Sequence, residues 1–268
     1  MIILSDIECF ILDMDGTIYL GERVLPGAPE LLRLLEARGT AYYFFTNNSS
    51  ASAYDYIAKL KRLWLGVYER KSIITSVDVT IDYIKRTYGA NASAYVVGTP
   101  ALVEQLKSAG IECADSGRPD CLVVGFDTTL RYERANRALE LLREGVPFLG
   151  VNIDAVCPLD GGKVLLDCGS ICAMLTHASG VKPKFLGKPF SETAEYICKT
   201  TGIPPGKTAV VGDRLYTDMR FAAENGMCSI GVLSGEMTRE DIYKSDLKLD
   251  YVFSGVQELC DILKQADI

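Results

Sequence analysis

Short apolar runs rich in β-branched and aromatic residues alternate with amphipathic stretches along the chain, the pattern of an α/β protein with a largely parallel sheet. Glu8 to Asp13 (Glu-Cys-Phe-Ile-Leu-Asp) reads as a buried strand. Pro29 to Arg38 reads as a helix, with Pro near its start, Leu31, Leu32, Leu34 and Leu35 on one face, and Gly39 as its stop. Ala41 to Thr46 is a second strand, and the polar Asn47-Asn48-Ser49-Ser50 that follows is suited to open a helix over Tyr54 to Leu63. The middle of the chain repeats the scheme: strand Ala94 to Val97, helix Pro100 to Ser108, strand Cys121 to Phe126, helix Tyr132 to Glu144, strand Phe148 to Val151. That is enough sheet and helix for a small domain of its own. After Pro183 the first style returns, with helix Glu192 to Thr200, strand Thr208 to Val211, helix Asp218 to Asn225, strands Cys228 to Val232 and Tyr251 to Phe253, and helix Val256 to Gln265. The pattern predicts a core built from residues 1–78 and 183–268, with an α/β domain inserted at 79–182.

Composition agrees with a folded chain: 268 residues, 48% hydrophobic and 24% charged, the balance of a protein that buries a sizeable core. The formal net charge of −7 gives no general attraction for nucleic acid or an anionic membrane surface, so an anionic substrate must be met by a local positive site. Asp6 and Glu8 interrupt the apolar N-terminal stretch, which therefore does not read as a signal peptide, and no apolar run reaches the length of a membrane span. A cytoplasmic protein is the expectation. The nine cysteines are an odd number, several of them inside apolar segments, and reduced thiols are expected. Cys168 and Cys172 lie four apart at a helix start, but there is no C-x-x-C pair and the single histidine, His177, lies outside zinc-ligand spacing.

Four local signals carry chemistry. Asp13-Met-Asp15-Gly16-Thr17 follows an apolar strand directly and puts two carboxylates where open parallel sheets bind ligands. One can act as nucleophile and the other can move a proton, although Asp-Gly after a strand is also a common turn. Thr46 ends its strand as Asp13 does, so its hydroxyl and nearby N–H groups suit phosphate oxygens; a helix N-cap is the competing reading, and Asn47 and Asn48 share the ambiguity. Lys188, between Gly187 and Pro189, can serve as a fixed positive charge, whereas most lysines are solvated surface charges. Asp213 ends a strand after Gly212 and Asp218 falls on the next helical turn. Such carboxylates are hard ligands for Mg²⁺, with helix N-terminal charge compensation as the alternative for Asp218.

All four signals fall at strand ends of the two flanking segments, in one order. In that combination the sequence resembles the haloacid dehalogenase superfamily, whose four motifs read here as Asp13-x-Asp15-Gly-Thr17, Thr46, Lys188, and Gly212-Asp213 with Asp218. An insert of this size between the second and third motifs resembles the large α/β cap of the NagD-like, p-nitrophenyl phosphatase group. Phe45-Thr46-Asn47-Asn48-Ser49, Val124-Gly125-Phe126-Asp127, Gly187-Lys188-Pro189 and Gly212-Asp213-Arg214 are similar to that group too. The resemblance implies a Rossmann-like parallel-sheet catalytic core with an inserted α/β cap, and a magnesium-dependent phosphatase working through an aspartyl-phosphate. It implies Asp13 as nucleophile and Asp15 as general acid and base. Thr46, Asn47 and Lys188 would hold the phosphoryl group, and Mg²⁺ would be held by Asp13, the Asp15 carbonyl and Asp213, with Asp218 and Asn48 in support. An acid at position 15 argues against the dehalogenase branch.

The cap should select the leaving group, with Asn152, Asp154 and the loop Pro158 to Lys163 as candidate substrate contacts against the alternative of an ordinary turn. Where caps of this group often carry a Pro-Gly turn, the chain has Leu166-Asp167-Cys168-Gly169-Ser170, and Trp64 stands where a small residue is more usual. The expected substrate is a small phosphorylated metabolite: a sugar phosphate, a nucleoside monophosphate or phosphoglycolate. A phosphomutase using the same aspartates and a non-catalytic phosphometabolite-binding protein are the alternatives, and a cap-to-cap homodimer is compatible with the resemblance.

Overall fold

The computed structural model describes residues 3–159 and 163–265. The chain forms two compact units, one from Met1–Thr46, Tyr56–Ile74 and Ala194–Ile268, the other from Asn47–Asp55 and Thr75–Thr193. The second unit thus begins at Thr75 and ends at Thr193, against the 79–182 read from the pattern, and also takes in Asn47–Asp55. Lys188 accordingly belongs to it.

The first unit is built on a six-stranded sheet in the order Tyr251–Phe253, Cys228–Val232, Thr208–Gly212, Cys9–Asp13, Ala41–Thr46, Ile73–Thr75. The pairs that the Cys9–Asp13 strand makes with its two neighbours are parallel. Cys9, Phe10, Ile11 and Leu12 are all buried, because a strand covered on both faces needs a continuous apolar run rather than an alternating one. Helix Ala28–Arg38 buries Leu31, Leu32 and Leu35 and stops at Gly39, whose φ of 65° is the left-handed conformation that closes a helix. Each such leucine contributes on the order of 2 kcal/mol through burial.

The second unit carries a five-stranded parallel sheet in the order Lys184–Phe185, Phe148–Gly150, Cys121–Val124, Ser93–Val97, Glu112–Cys113. Its core follows the two-residue period of a strand. Tyr95, Val97, Leu122 and Val124 pack on one face with Leu141, Ile171 and Leu175. Ala94, Cys121, Val123 and Leu149 pack on the other with Val77, Ile84, Leu102 and Leu106. Helix Ser76–Tyr88, which the pattern did not predict, starts at a reciprocal cap between Thr75 and Asp78.

Two local expectations are corrected. Asn47 to Ser50 do not open a helix: the helix spans Ala53–Arg62, with Ser52 and Asp55 exchanging cap hydrogen bonds of 2.7 and 3.3 Å. Asn48 instead folds onto its own loop, its Oδ1 accepting from the N–H and hydroxyl of Ser50. Asp218 does not open an α-helix either; it lies in a π-helical turn over Leu215–Met219, and the α-helix proper runs Arg220–Glu224. Such turns insert a residue and concentrate at functional sites.

Candidate active site

Asp13 is the last residue of the central strand. The chain then turns tightly: the Met14 carbonyl accepts from the N–H groups of Ile18 and Tyr19, and the Gly16 N–H donates to the Tyr19 carbonyl at 2.7 Å. Gly16 sits at φ +86°, and a methyl group there would fall 2.2 Å from Asp213 Oδ2. Glycine is required twice over, for its backbone conformation and for the close approach.

Asp213 follows the Thr208–Gly212 strand, which pairs with the Asp13 strand in a register that sets Leu12 beside Val211. The two aspartates therefore leave the carboxyl ends of adjacent parallel strands, where open sheets bind ligands. Candidate ligand atoms of Asp13, Asp213 and Asp218 all lie within 4.8 Å of one another. Asp213 and Asp218 are buried. Asp213 Oδ2 accepts the Glu236 N–H at 2.7 Å, while its Oδ1 is buried without a hydrogen-bond partner among the described residues. Asp218 Oδ2 accepts the Arg214 N–H at 3.2 Å. Burial, and then the Asp218 carboxylate, raise the Asp213 pKa from 3.8 to about 7. Three glycines make room: an added methyl would fall 2.3 Å from the Asp218 carboxyl carbon at Gly212 and 1.9 Å from Asp213 Oδ2 at Gly235, as at Gly16. A buried acid with an orphan oxygen in an oxygen-only donor set fits a small hard cation such as Mg²⁺.

The Asp15 side chain has a different neighbour. Lys59 Nζ, from helix Ala53–Arg62, lies 3.7 Å from Asp15 Oδ1 and 3.8 Å from the centroid of the Tyr19 ring. Burial, and then Asp15, push the Tyr19 phenol well above its usual pKa, so the ring stays neutral under the ammonium. Neither Lys59 nor the loop Ser234 to Glu236 was singled out by sequence, although Ser234 also donates to the Gly16 carbonyl at 2.7 Å. A lysine on an amphipathic helix looks like a solvated charge, and backbone donors leave no mark in a sequence.

Thr46 is buried at the end of its strand in the first unit. In the second unit Asn47, Asn152, Asp154, Asp167 and Lys188 are all buried, and the first four share side-chain hydrogen bonds. Asn47 Nδ2 donates to Asp154 Oδ2 at 2.9 Å and to the Lys188 carbonyl at 3.0 Å, while its Oδ1 accepts the Lys188 N–H at 2.9 Å. Asn152 Nδ2 donates to Asp154 and to Asp167 Oδ1, the acceptor that caps helix Cys168–Ser179. The structure thus places Asn152 and Asp154 inside a hydrogen-bonded network, and gives the Asn47 side chain to the Lys188 backbone. In the loop Pro158 to Lys163, Asp160 to Gly162 lie outside the described residues.

Among the described residues no helix is long and apolar enough to cross a membrane, and burial pushes the thiols of Cys9, Cys121 and Cys228 up to about 12, far from a reactive thiolate.

An acid cluster at the carboxyl ends of adjacent parallel strands, on a sheet of this order, places the chain among α/β proteins with a Rossmann-like sheet and a ligand site at its strand ends. The haloacid dehalogenase-like hydrolase profile matches residues 10–112, and a second HAD-hydrolase-like profile matches residues 185–259. Human (Homo sapiens) glycerol-3-phosphate phosphatase is 33% identical over 266 residues, covering 90% of this chain and 83% of its own. Acid sugar phosphatase of Staphylococcus aureus is 29% identical over 251 residues, covering 94% and 96%. The crystal structure of 4-nitrophenylphosphatase from Thermotoga maritima superposes with a TM-score of 0.91 at 38% identity, over 96% of this chain and 98% of that one. The chain belongs to the haloacid dehalogenase-like hydrolase family, and it is a phosphatase.

Proposed function

We propose that this phosphatase hydrolyses phosphate monoesters of small polyol and sugar metabolites through an aspartyl-phosphate on Asp13, with Mg²⁺ as its resident metal. The observation that carries this reading is the cluster of Asp13, Asp213 and Asp218, with one buried Asp213 oxygen lacking a hydrogen-bond partner among the described residues. Asp13, the Asp15 carbonyl and Asp213 would hold the metal, with Asp218 behind them. Bound there, Mg²⁺ supplies the positive charge that lets an anionic carboxylate meet an anionic phosphate.

The chain's own groups do the rest. An Asp13 oxygen attacks phosphorus and forms an O–P bond as the ester O–P bond breaks; Asp15 delivers its proton to the departing alkoxide. Asp15 then takes a proton from water, the water oxygen bonds to phosphorus, and the Asp13–phosphorus link breaks to release inorganic phosphate. Lys188 and the Thr46 hydroxyl hold the phosphoryl oxygens. The inserted domain acts as the cap that selects the alcohol. The substrate class draws support from relatives named for glycerol 3-phosphate and acid sugars.

Phosphate release from p-nitrophenyl phosphate, glycerol 3-phosphate and a panel of sugar phosphates and nucleoside monophosphates tests this. Activity should require Mg²⁺, vanish with chelator and vanish in Asp13→Asn. Full activity in Asp13→Asn would remove the nucleophile from the scheme, and activity only on nucleotides would remove the substrate class.

A further inference from the structure

We infer that Asn47 and Asp154 are positioning residues that aim Lys188 at the phosphoryl group, rather than contacts to the substrate themselves; the inference rests on the phosphoryl-holding role proposed for Lys188. A buried lysine has few rotamers left, so the direction of its ammonium is set by its backbone. Here both backbone polar groups of Lys188 are held by one side chain: its N–H donates to Asn47 Oδ1 at 2.9 Å and its carbonyl accepts from Asn47 Nδ2 at 3.0 Å. A carboxamide with its oxygen and nitrogen side by side copies the edge of a strand, and two bonds to one residue fix that residue's rotation as one bond does not.

The amide is itself held. Its second N–H donates to Asp154 Oδ2 at 2.9 Å, a charge-assisted bond that also decides which end of the amide is nitrogen. Asp154 is steadied by Asn152, and Asn152 reaches Asp167 at the start of helix Cys168–Ser179. The Asn47 carbonyl accepts from the Ser76 hydroxyl at 2.8 Å. The residue before the lysine is shaped for this contact: Gly187 has φ +74°, and a methyl group there would fall 2.7 Å from Asn47 Oδ1. Asn47 and Lys188 are 141 residues apart in the chain, so the amide ties the loop that follows Thr46 to the lysine. Loss of the clamp should therefore weaken the grip on phosphate.

The test is calorimetric titration of the full chain with inorganic phosphate, in Mg²⁺, comparing wild type, Asn47→Ala, Lys188→Met and the double variant. Asn47→Ala should weaken phosphate about tenfold and Lys188→Met at least as much, while the double variant binds no more weakly than Lys188→Met. An Asn47→Ala effect of equal size in both backgrounds, or none in wild type, overturns the inference. Unchanged affinity in Lys188→Met would instead remove the proposed role of the lysine, and the clamp with it. If Asn47→Ala does not fold, Asp154 replaces it in the same cycle: Asp154→Ala should weaken phosphate only when Lys188 is present, and Asp154→Asn, which keeps an acceptor for Asn47, should restore most of the loss. Equal effects of the two Asp154 variants overturn the inference.

Discussion

Replacing Asp213 with asparagine should make the metal-free protein more stable while removing its response to Mg²⁺. Asp213 is held at about 7 in the fold against an ordinary 3.8, so between roughly pH 4 and pH 7 the native state binds more protons than the unfolded chain. Stability then falls as pH rises through that window, and above pH 7 the whole penalty is present. A difference of about three pKa units corresponds to roughly 4 kcal/mol as an upper figure. Asparagine keeps an oxygen for the Glu236 N–H and removes the buried charge, so it should recover about 2–4 kcal/mol at pH 8, on the order of 5–10 °C in melting temperature. The assay is thermal unfolding in chelator at pH 4, 6 and 8, repeated with Mg²⁺. Wild type and variant should converge at pH 4 and separate at pH 8, and Mg²⁺ should raise the wild type alone. Parallel curves at every pH, or equal protection of both proteins by Mg²⁺, would refute the reasoning.

Lys59→Met should slow hydrolysis of alkyl phosphates such as glycerol 3-phosphate about tenfold more than that of p-nitrophenyl phosphate. The ammonium 3.7 Å from Asp15 holds the group that protonates the leaving oxygen, and nitrophenolate leaves with little need of a proton; equal losses of kcat on both substrates would refute it. Trp64→Gly should stabilise the chain by about 0.5–1 kcal/mol in denaturant titrations. Trp64 has φ 59° and ends helix Ala53–Arg62 where glycine is usual, its side chain is 93% exposed, and left-handed strain of about 1–2 kcal/mol outweighs the extra freedom of an unfolded glycine. A lower unfolding midpoint would mean the indole makes contacts worth more than that strain.

Five strands of the first unit's six-stranded sheet were legible because they are apolar runs, whereas the three-residue edge strand Ile73–Thr75 does not stand out; Asp13 and Asp213 were legible because each stands where such a run ends. Trp64 was visible as an anomaly, and its backbone angle gives the anomaly a physical meaning. Other parts depend on relations that no local pattern encodes. Asn47 reads as a helix opener by its neighbours, but the amide finds the Lys188 backbone across 141 residues and the helix waits for Ser52. Asn152 and Asp154 read from sequence as candidate substrate contacts; that both are buried, with Asn152 donating to Asp154, is a long-range relation the sequence does not display. Asp218 lies in a wider turn than its sequence predicts: its carboxylate accepts the N–H of Arg214, which opens that turn, and stands close to Asp13 and Asp213.

Trp64 is the chain's single tryptophan. Because its indole already faces water in the native state, its emission colour will change little on unfolding, and a melt followed by tryptophan fluorescence would make a well-behaved protein look featureless. The same exposure makes it a good collisional-quenching beacon for anything that settles on that helix end, against a background free of other indoles.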